Sequence, residues 1–457
     1  MKTKLDRMRE FYNGKWYILL VFCLNFIGHS TGYDVFFFVL MMLTVYLGCA
    51  VAYDLRFAIS PFLSTVFFVT PEHSPNVPAY SDYYVQPLPF TVLAITFGLL
   101  IVFVGVFAFR NRRRINPIPA SFKGIFFSMV ILSLALCLNG AFNSAYTVKN
   151  LIFAISFPLV LLGIYTLFAL FVQFDRSALE HFMFCLLALG LQITAQLLFA
   201  YLCGGVRFVD GGIDKTSVLL GWAVSTTLGG MQAFLMPVCF YFAATHKHGW
   251  VFYGLGLLEF LSVLLSQSRG AMLTGAVVLL ICMIAACFVG RNKKQNRIIG
   301  IGIAAVGVAG CALLWNKLLV LLNDFINRGF DDNGRYYLWG TGISKFLAHP
   351  IFGSGFYDSG IQSEWLINVY PYFYHNTFVQ MLATTGLFGA LSYLWHRITT
   401  VIAIVRRPSI YKSFLGFCLI AFLGFCLLDV LFFITYPLLF YTLILLYIEK
   451  SDTVEER

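Results

Sequence analysis

Residues 250–289 read WVFYGLGLLEFLSVLLSQSRGAMLTGAVVLLICMIAACFV, two apolar runs at about 250–267 and 271–289 that meet at Ser268-Arg269-Gly270. A run of about 18 or more apolar residues is long enough to cross roughly 30 Å of hydrocarbon, and Glu259 and Arg269 are the charged side chains of this stretch. Such runs recur along the chain, at about 16–28, 35–52, 57–70, 88–109, 124–142, 150–173, 178–203, 218–243, 298–320, 376–396, 413–430 and 434–448. The first, the third and the last are short, which gives about 12–14 spans. The expected fold is all-α, a polytopic transmembrane helix bundle forming one integral membrane domain over residues 1–457.

Composition agrees. The chain has 457 residues, 60% of them hydrophobic and 11% charged, where a soluble globular protein carries about 25% charged residues. This excludes a soluble multidomain enzyme, a porin-like β-barrel and a disordered scaffold. The formal charge of +10 could point to nucleic acid, so the positions of the basic residues matter. With the N-terminus in the cytoplasm and the spans alternating, 23 of the 31 Lys and Arg fall inside, among them Lys2, Lys4, Arg7, Arg9, Lys15, the Arg110–Arg114 and Arg291–Arg297 clusters, Arg406, Arg407 and Lys412. That is the positive-inside pattern, so the excess belongs to topology. No nucleic-acid motif accompanies it.

Met1 to Lys15 is a basic head running into a span without an A-x-A-like cleavage site, and reads as a retained signal anchor. The eleven cysteines lie almost entirely in apolar runs, with no CxxC and no His at zinc-ligand spacing. They read as small buried hydrophobes.

Two outer loops are long. The smaller, 71–87, holds Pro71, Pro75, Pro78 and Pro87 with Glu72, Asp82, Tyr80, Tyr83 and Tyr84 and reads as an irregular polar lid. The larger, 321–375, has room for a helical cap. Within it Tyr337, Trp339, Ile343, Phe346 and Leu347 recur at helical spacing before His349-Pro350, which predicts an amphipathic helix over 334–348 lying at the membrane surface.

Three groups at this outer side could carry chemistry. A guanidinium in the membrane costs from about 2.5 kcal/mol upward and needs an anion; Glu259, ten residues before Arg269, is about 15 Å away along a helix and too far to pair with it. Arg269 therefore holds a phosphate or another anion, or snorkels to lipid headgroups. Arg335 opens the loop helix, where a cation opposes the macrodipole unless it binds an anion; the alternative is a solvated pair with Asp331 or Asp332. His375 stands where the loop re-enters the membrane. An imidazole there can accept a proton from a hydroxyl near neutral pH, or can simply hydrogen-bond within an aromatic belt. Tyr372, Tyr374 and Trp339 offer flat faces to sugar rings. Among intramembrane polar residues, the pairs Gln192/Gln196 and Asn139/Asn143 each share a helix face and read as helix–helix glue, while Glu259 and Asp429 should face the bundle interior or a cavity.

The order of these pieces, Ser268-Arg269-Gly270, Arg335-Tyr-Tyr-Leu-Trp339, His349-Pro350-Ile-Phe-Gly353-Ser-Gly355 and His375-Asn376-Thr-Phe-Val-Gln380 running on to Gly386-Leu387-Phe388-Gly389, resembles the O-antigen ligase and polymerase superfamily of bacterial membrane glycosyltransferases. The resemblance covers about Val218 to Leu394. The chain departs from the family where an Asn-Pro-Asn is often found, reading Trp222-Ala-Val-Ser-Thr-Thr-Leu-Gly229.

The resemblance implies a GT-C-like bundle with an extracytoplasmic catalytic loop. It also implies transfer of an oligo- or polysaccharide from a polyprenyl diphosphate carrier to an acceptor hydroxyl on a glycan or lipid-linked saccharide, at the outer face of a bacterial cytoplasmic membrane. Arg269 and Arg335 match the family's essential arginines and His375 its essential histidine; in the reading from the residues, the two guanidiniums would hold the diphosphate and His375 would act as the catalytic base. No cofactor or metal is expected, in keeping with the lack of an Asp-x-Asp signature. Membrane lipids are expected partners, with a chain-length regulator or flippase as a further candidate. The competing class is a transporter or flippase of lipid-linked sugars; the lack of paired interrupted helices in corresponding halves counts against it.

Overall fold

A computed structural model describes residues 3–68, 87–117, 124–143, 146, 148–209, 212–313, 334–357 and 373–455. The smaller outer loop lies outside these residues apart from its last position, and of the larger one residues 334–357 and 373–375 are described.

The described chain is almost wholly helical. In order it forms α1 (Lys4–Tyr12), α2 (Lys15–Thr31), α3 (Asp34–Val51), α4 (Ile59–Ser64), α5 (Pro87–Asn111), α6 (Ile125–Cys137), α7 (Val148–Pro158), α8 (Tyr165–Phe171) and α9 (Arg176–Leu202). There follow α10 (Ser225–Leu235), α11 (Pro237–Thr245), α12 (Gly249–Leu265), α13 (Arg269–Phe288), α14 (Lys293–Leu313), α15 (Arg335–Ala348), α16 (Thr377–Val405), α17 (Ile410–Cys426) and α18 (Thr435–Glu455). A two-stranded hairpin, β1 (Phe208–Val209) and β2 (Gly212–Ile213), pairs Phe208 with Ile213 beyond the end of α9. Seven helical segments among the described residues are long and apolar enough to cross a membrane, and four further apolar ones are of 10–17 residues. The chain is thus an all-α polytopic membrane bundle. With no water inside a bilayer, a spanning helix must satisfy its own backbone, and uninterrupted helices do so.

Burial separates the centre from the rim. The α10–α11 segment is 94% buried and the spanning part of α5 11%, so the first is the pillar of the bundle and the second offers most of its surface to lipid. The pillar can be this crowded because small residues let backbones approach. A Cβ on Gly229 of α10, for example, would lie 2.4 Å from Oγ of Ser266, a fully buried side chain.

Several expected spans are interrupted. The stretch at 57–70 is a broken series in which a 3-10 turn, Leu55–Ala58, leads to α4 and a second 3-10 turn, Thr65–Phe68. Pro158, which cannot donate to the helix ladder, is followed by a π turn, Leu159–Ile164, between α7 and α8. The helix expected from 218 starts only at Ser225. Asp429, expected inside a span, lies in the link after α17.

The break that shapes the site is in α16. Gly386 takes φ 64° and ψ −158°, a conformation open essentially to glycine alone. Residues 350–355 repair the lost hydrogen bonds. Ser354 and Gly355 N–H donate to the carbonyls of Ala383 and Thr384, and Leu387 and Phe388 N–H donate to those of Pro350 and Ile351, at 2.8–3.2 Å. The turn itself is pinned from α6 and α7: Asn139 Oδ1 accepts from Phe356 N–H (3.3 Å), Asn150 Oδ1 from Tyr357 N–H (3.1 Å), and Asn143 Nδ2 donates to the Ser354 carbonyl (3.1 Å). Asn139 and Asn143 therefore hold this turn, where helix–helix glue was expected.

Candidate active site

Arg269 is the first residue of α13 and Arg335 the first of α15. Helix N-termini carry partial positive charge, so a guanidinium at each concentrates charge of one sign. The structure brings both ends to one cavity of about 250 Å³, whose walls also include Lys215, Thr226, Ser268 and Asp429. The elbow before α13 is held by Ser268, whose N–H donates to Ser266 Oγ (3.3 Å) and whose Oγ accepts from Ala271 N–H (3.4 Å), with Gln267 at φ 57°. None of the ion pairs formed among the described residues involves Arg269, Arg335 or Lys215. Asp331 and Asp332, the alternative partners of Arg335, lie outside the described residues.

His375 is linked to this cavity through Asp429. Its Nδ1 is 3.0 Å from Oδ1 of Asp429, an oxygen that also accepts from Val430 N–H at 2.8 Å. Two neighbours stitch the same strands of chain together: Asn376 Nδ2 donates to the Leu427 carbonyl (2.9 Å) and Thr377 Oγ1 to the Asp429 carbonyl (3.2 Å). Asn376 also caps α16, its Oδ1 accepting from Phe378 and Val379 N–H. Held at both sides, His375 adopts φ 50°, a left-handed conformation uncommon outside glycine and found where surrounding contacts over-determine it. With Asp429 ionised, its oxygen accepts and the imidazole proton sits on Nδ1. Nε2 then presents a lone pair, the form in which an imidazole takes a proton.

The expected stacking residues divide. Trp339 is half-buried beside Tyr336, with ring centroids 5.5 Å apart and the rings nearly perpendicular. Tyr374 is 2% exposed, and a Cβ added at Gly342 of α15 would lie 3.0 Å from its Cδ1. It is a strut under α15 with its ring covered. Tyr372 lies outside the described residues.

Two cavity residues had no signal of their own in the sequence. Lys215 arrives from the turn after the β1–β2 hairpin, and Thr226 from α10, within the segment that departs from the family's Asn-Pro-Asn. Asp429 stood out as a deep carboxylate, but its imidazole partner lies 54 residues earlier. Partial loss of water, then the charges of Arg269 and Arg335, hold the Lys215 ammonium below its usual pKa, with Asp429 opposing.

Residues 254–394, the stretch containing Arg269, Arg335 and His375, match the family model described as O-antigen ligase. Through this stretch the chain is similar to the O-antigen ligase family. It is also similar to the exopolysaccharide production protein ExoQ of Rhizobium meliloti (strain 1021), with 28% identity over 149 residues. That alignment covers 30% of this chain and 34% of the relative, so the chain matches about a third of the curated relative's length. The ligase-family segment begins within α12 and ends within α16. It therefore includes the two helix N-termini with their arginines and the broken helix that follows His375.

Proposed function

We propose that the protein is a membrane glycosyltransferase that moves an oligo- or polysaccharide from a polyprenyl diphosphate carrier to an acceptor sugar hydroxyl, working as an O-antigen ligase or as a repeat-unit polymerase. The observation that carries this reading is the meeting of two arginine-bearing helix N-termini at one cavity, one of whose walls is Asp429, the partner of His375. Two guanidiniums suit a diphosphate because each offers a planar fork of donors.

In this reading His375 Nε2 takes the proton of the acceptor hydroxyl as its oxygen bonds to the anomeric carbon of the donor. The bond from that carbon to the diphosphate oxygen breaks on the opposite face, which inverts the centre. The carrier leaves with one more negative charge, stabilised by Arg269 and Arg335 where that charge develops. The arginines supply the positive charge that a metal provides in other phosphate chemistry, so the reaction is assigned as metal-independent. Trp339 is the stacking candidate that keeps a partly open ring. The site is placed on the outer face of a bacterial cytoplasmic membrane with both termini inside, following the distribution of Lys and Arg. Similarity to a protein named for exopolysaccharide production supports the polymerase form, for which a flippase and a chain-length regulator are natural partners.

The test is transfer from a purified lipid diphosphate donor to a glycan acceptor in detergent. The wild type is expected to transfer and His375→Ala to lose transfer. Surviving transfer in that variant removes the base assignment. Lipid translocation by the wild type without transfer makes the protein a transporter.

A further inference from the structure

We propose that Lys215 is a third phosphate-binding cation of this cavity, presented by the β1–β2 hairpin, and that donor binding depends on pH through its charge. The proposal rests on the diphosphate reading of the cavity and adds a residue and a proton to it.

The geometry begins with charge. Among the described residues, Lys215, Arg269 and Arg335 share walls of a cavity of about 250 Å³ in which Asp429 is the carboxylate, and Asp429 Oδ1 is already engaged by His375 and Val430. Three cations against one carboxylate leave an excess that fits a ligand with at least two negative charges. The carboxylate on Lys215's own turn is committed elsewhere. Asp214 accepts from Thr216 N–H (3.0 Å) and Thr216 Oγ1 (2.6 Å), and its other oxygen pairs with Arg207 at 2.8 Å. Ser217 closes the turn, with Oγ accepting from Arg207 N–H and donating to the Asp214 carbonyl. These contacts fix the turn, so that among the described residues Lys215 is aimed by backbone and not by an ion pair of its own. Exposed Phe208 and Val209 on β1 suit a hairpin resting at the membrane surface.

Among the described residues, the charged groups that face Lys215 are Arg269 from α13, Arg335 from α15 and Asp429 from the α17–α18 link, while Arg207 and Asp214 on its own loop pair with each other. Burial first, and then the two guanidiniums, work against its charge, with Asp429 opposing. A bound dianion reverses that balance, so binding at alkaline pH takes up a proton. As pH rises through the lowered value, the ammonium must be regenerated before the anion is held, and affinity falls by up to about tenfold per pH unit.

The experiment measures inorganic pyrophosphate binding to the full-length protein in detergent, from neutral to alkaline pH. It compares wild type, Lys215→Met, Lys215→Arg, Arg269→Ala and Arg335→Ala, each checked for folding by thermal melting. Lys215→Met is expected to weaken binding about tenfold at neutral pH and to flatten the alkaline loss. Lys215→Arg should restore neutral affinity while holding it to higher pH than wild type; titration of pyrophosphate itself is common to all variants. Wild-type affinity in Lys215→Met, or the same pH profile in wild type and Lys215→Arg, overturns the proposal alone. Absence of binding by the wild type, or indifference to both arginine variants, overturns the diphosphate reading and this proposal with it.

Discussion

His375 Nδ1 lies 3.0 Å from Asp429 Oδ1 across 54 residues of sequence, and the same oxygen accepts the Val430 N–H. A carboxylate there fixes both the tautomer and the direction of the ring. Asp429→Asn offers Nδ1 an uncharged acceptor or a donor of its own, and is expected to lower kcat by roughly 10²–10⁴-fold. Single-turnover transfer assays together with a melting curve check this. A variant that folds and transfers at the wild-type rate would show that the pair is structural.

Arg269→Lys and Arg335→Lys keep the charge but lose the planar fork. Each is expected to reduce kcat/KM by at least about tenfold. Steady-state kinetics with a lipid diphosphate donor separate this from lipid anchoring, since an arginine that merely meets headgroups tolerates lysine.

Gly386→Ala should damage folding before chemistry. A Cβ there would lie 2.5 Å from the Ile351 carbonyl carbon and oxygen, and the backbone conformation alone costs about 1–3 kcal/mol for a residue with a side chain. The expected result is a lower yield of monodisperse protein and an earlier melting transition. Wild-type stability would mean that the 350–355 turn yields easily.

Tyr374→Ala distinguishes a strut from a sugar platform. Removing a buried aromatic side chain costs about 3–5 kcal/mol, so stability should fall. Residual folded protein is expected to keep its acceptor KM. A raised KM with unchanged stability would return Tyr374 to the binding surface.

Cys203 follows α9 at the end nearest the hairpin and is exposed. In intact cells a membrane-impermeant maleimide is expected to label it, and labelling should vanish in Cys203→Ser. Labelling only after the membrane is opened would place the site on the cytoplasmic side.

Arg269, Arg335 and His375 were legible in the sequence because each stands next to an apolar run or a turn, where its charge or ring is conspicuous. The all-α membrane fold was legible for the same reason, since apolar length has one physical solution in lipid. What escaped was connectivity in space. Asp429 and Lys215 reach the site from links whose local sequence carries no period. The break at Gly386 escaped because the hydrogen bonds that make it affordable come from residues 350–355. Tyr374 misled through its neighbours: in a run of aromatics, sequence does not show which ring is roofed by Gly342.

The turn at 350–355 bonds to both sides of the break in α16, and α15, which it follows, packs against α16. The His375, Asn376 and Thr377 bonds in turn tie the start of α16 to the end of α17, which packs against α13. On the proposed reading, a diphosphate held by both arginines would join two helix starts that no ion pair links among the described residues.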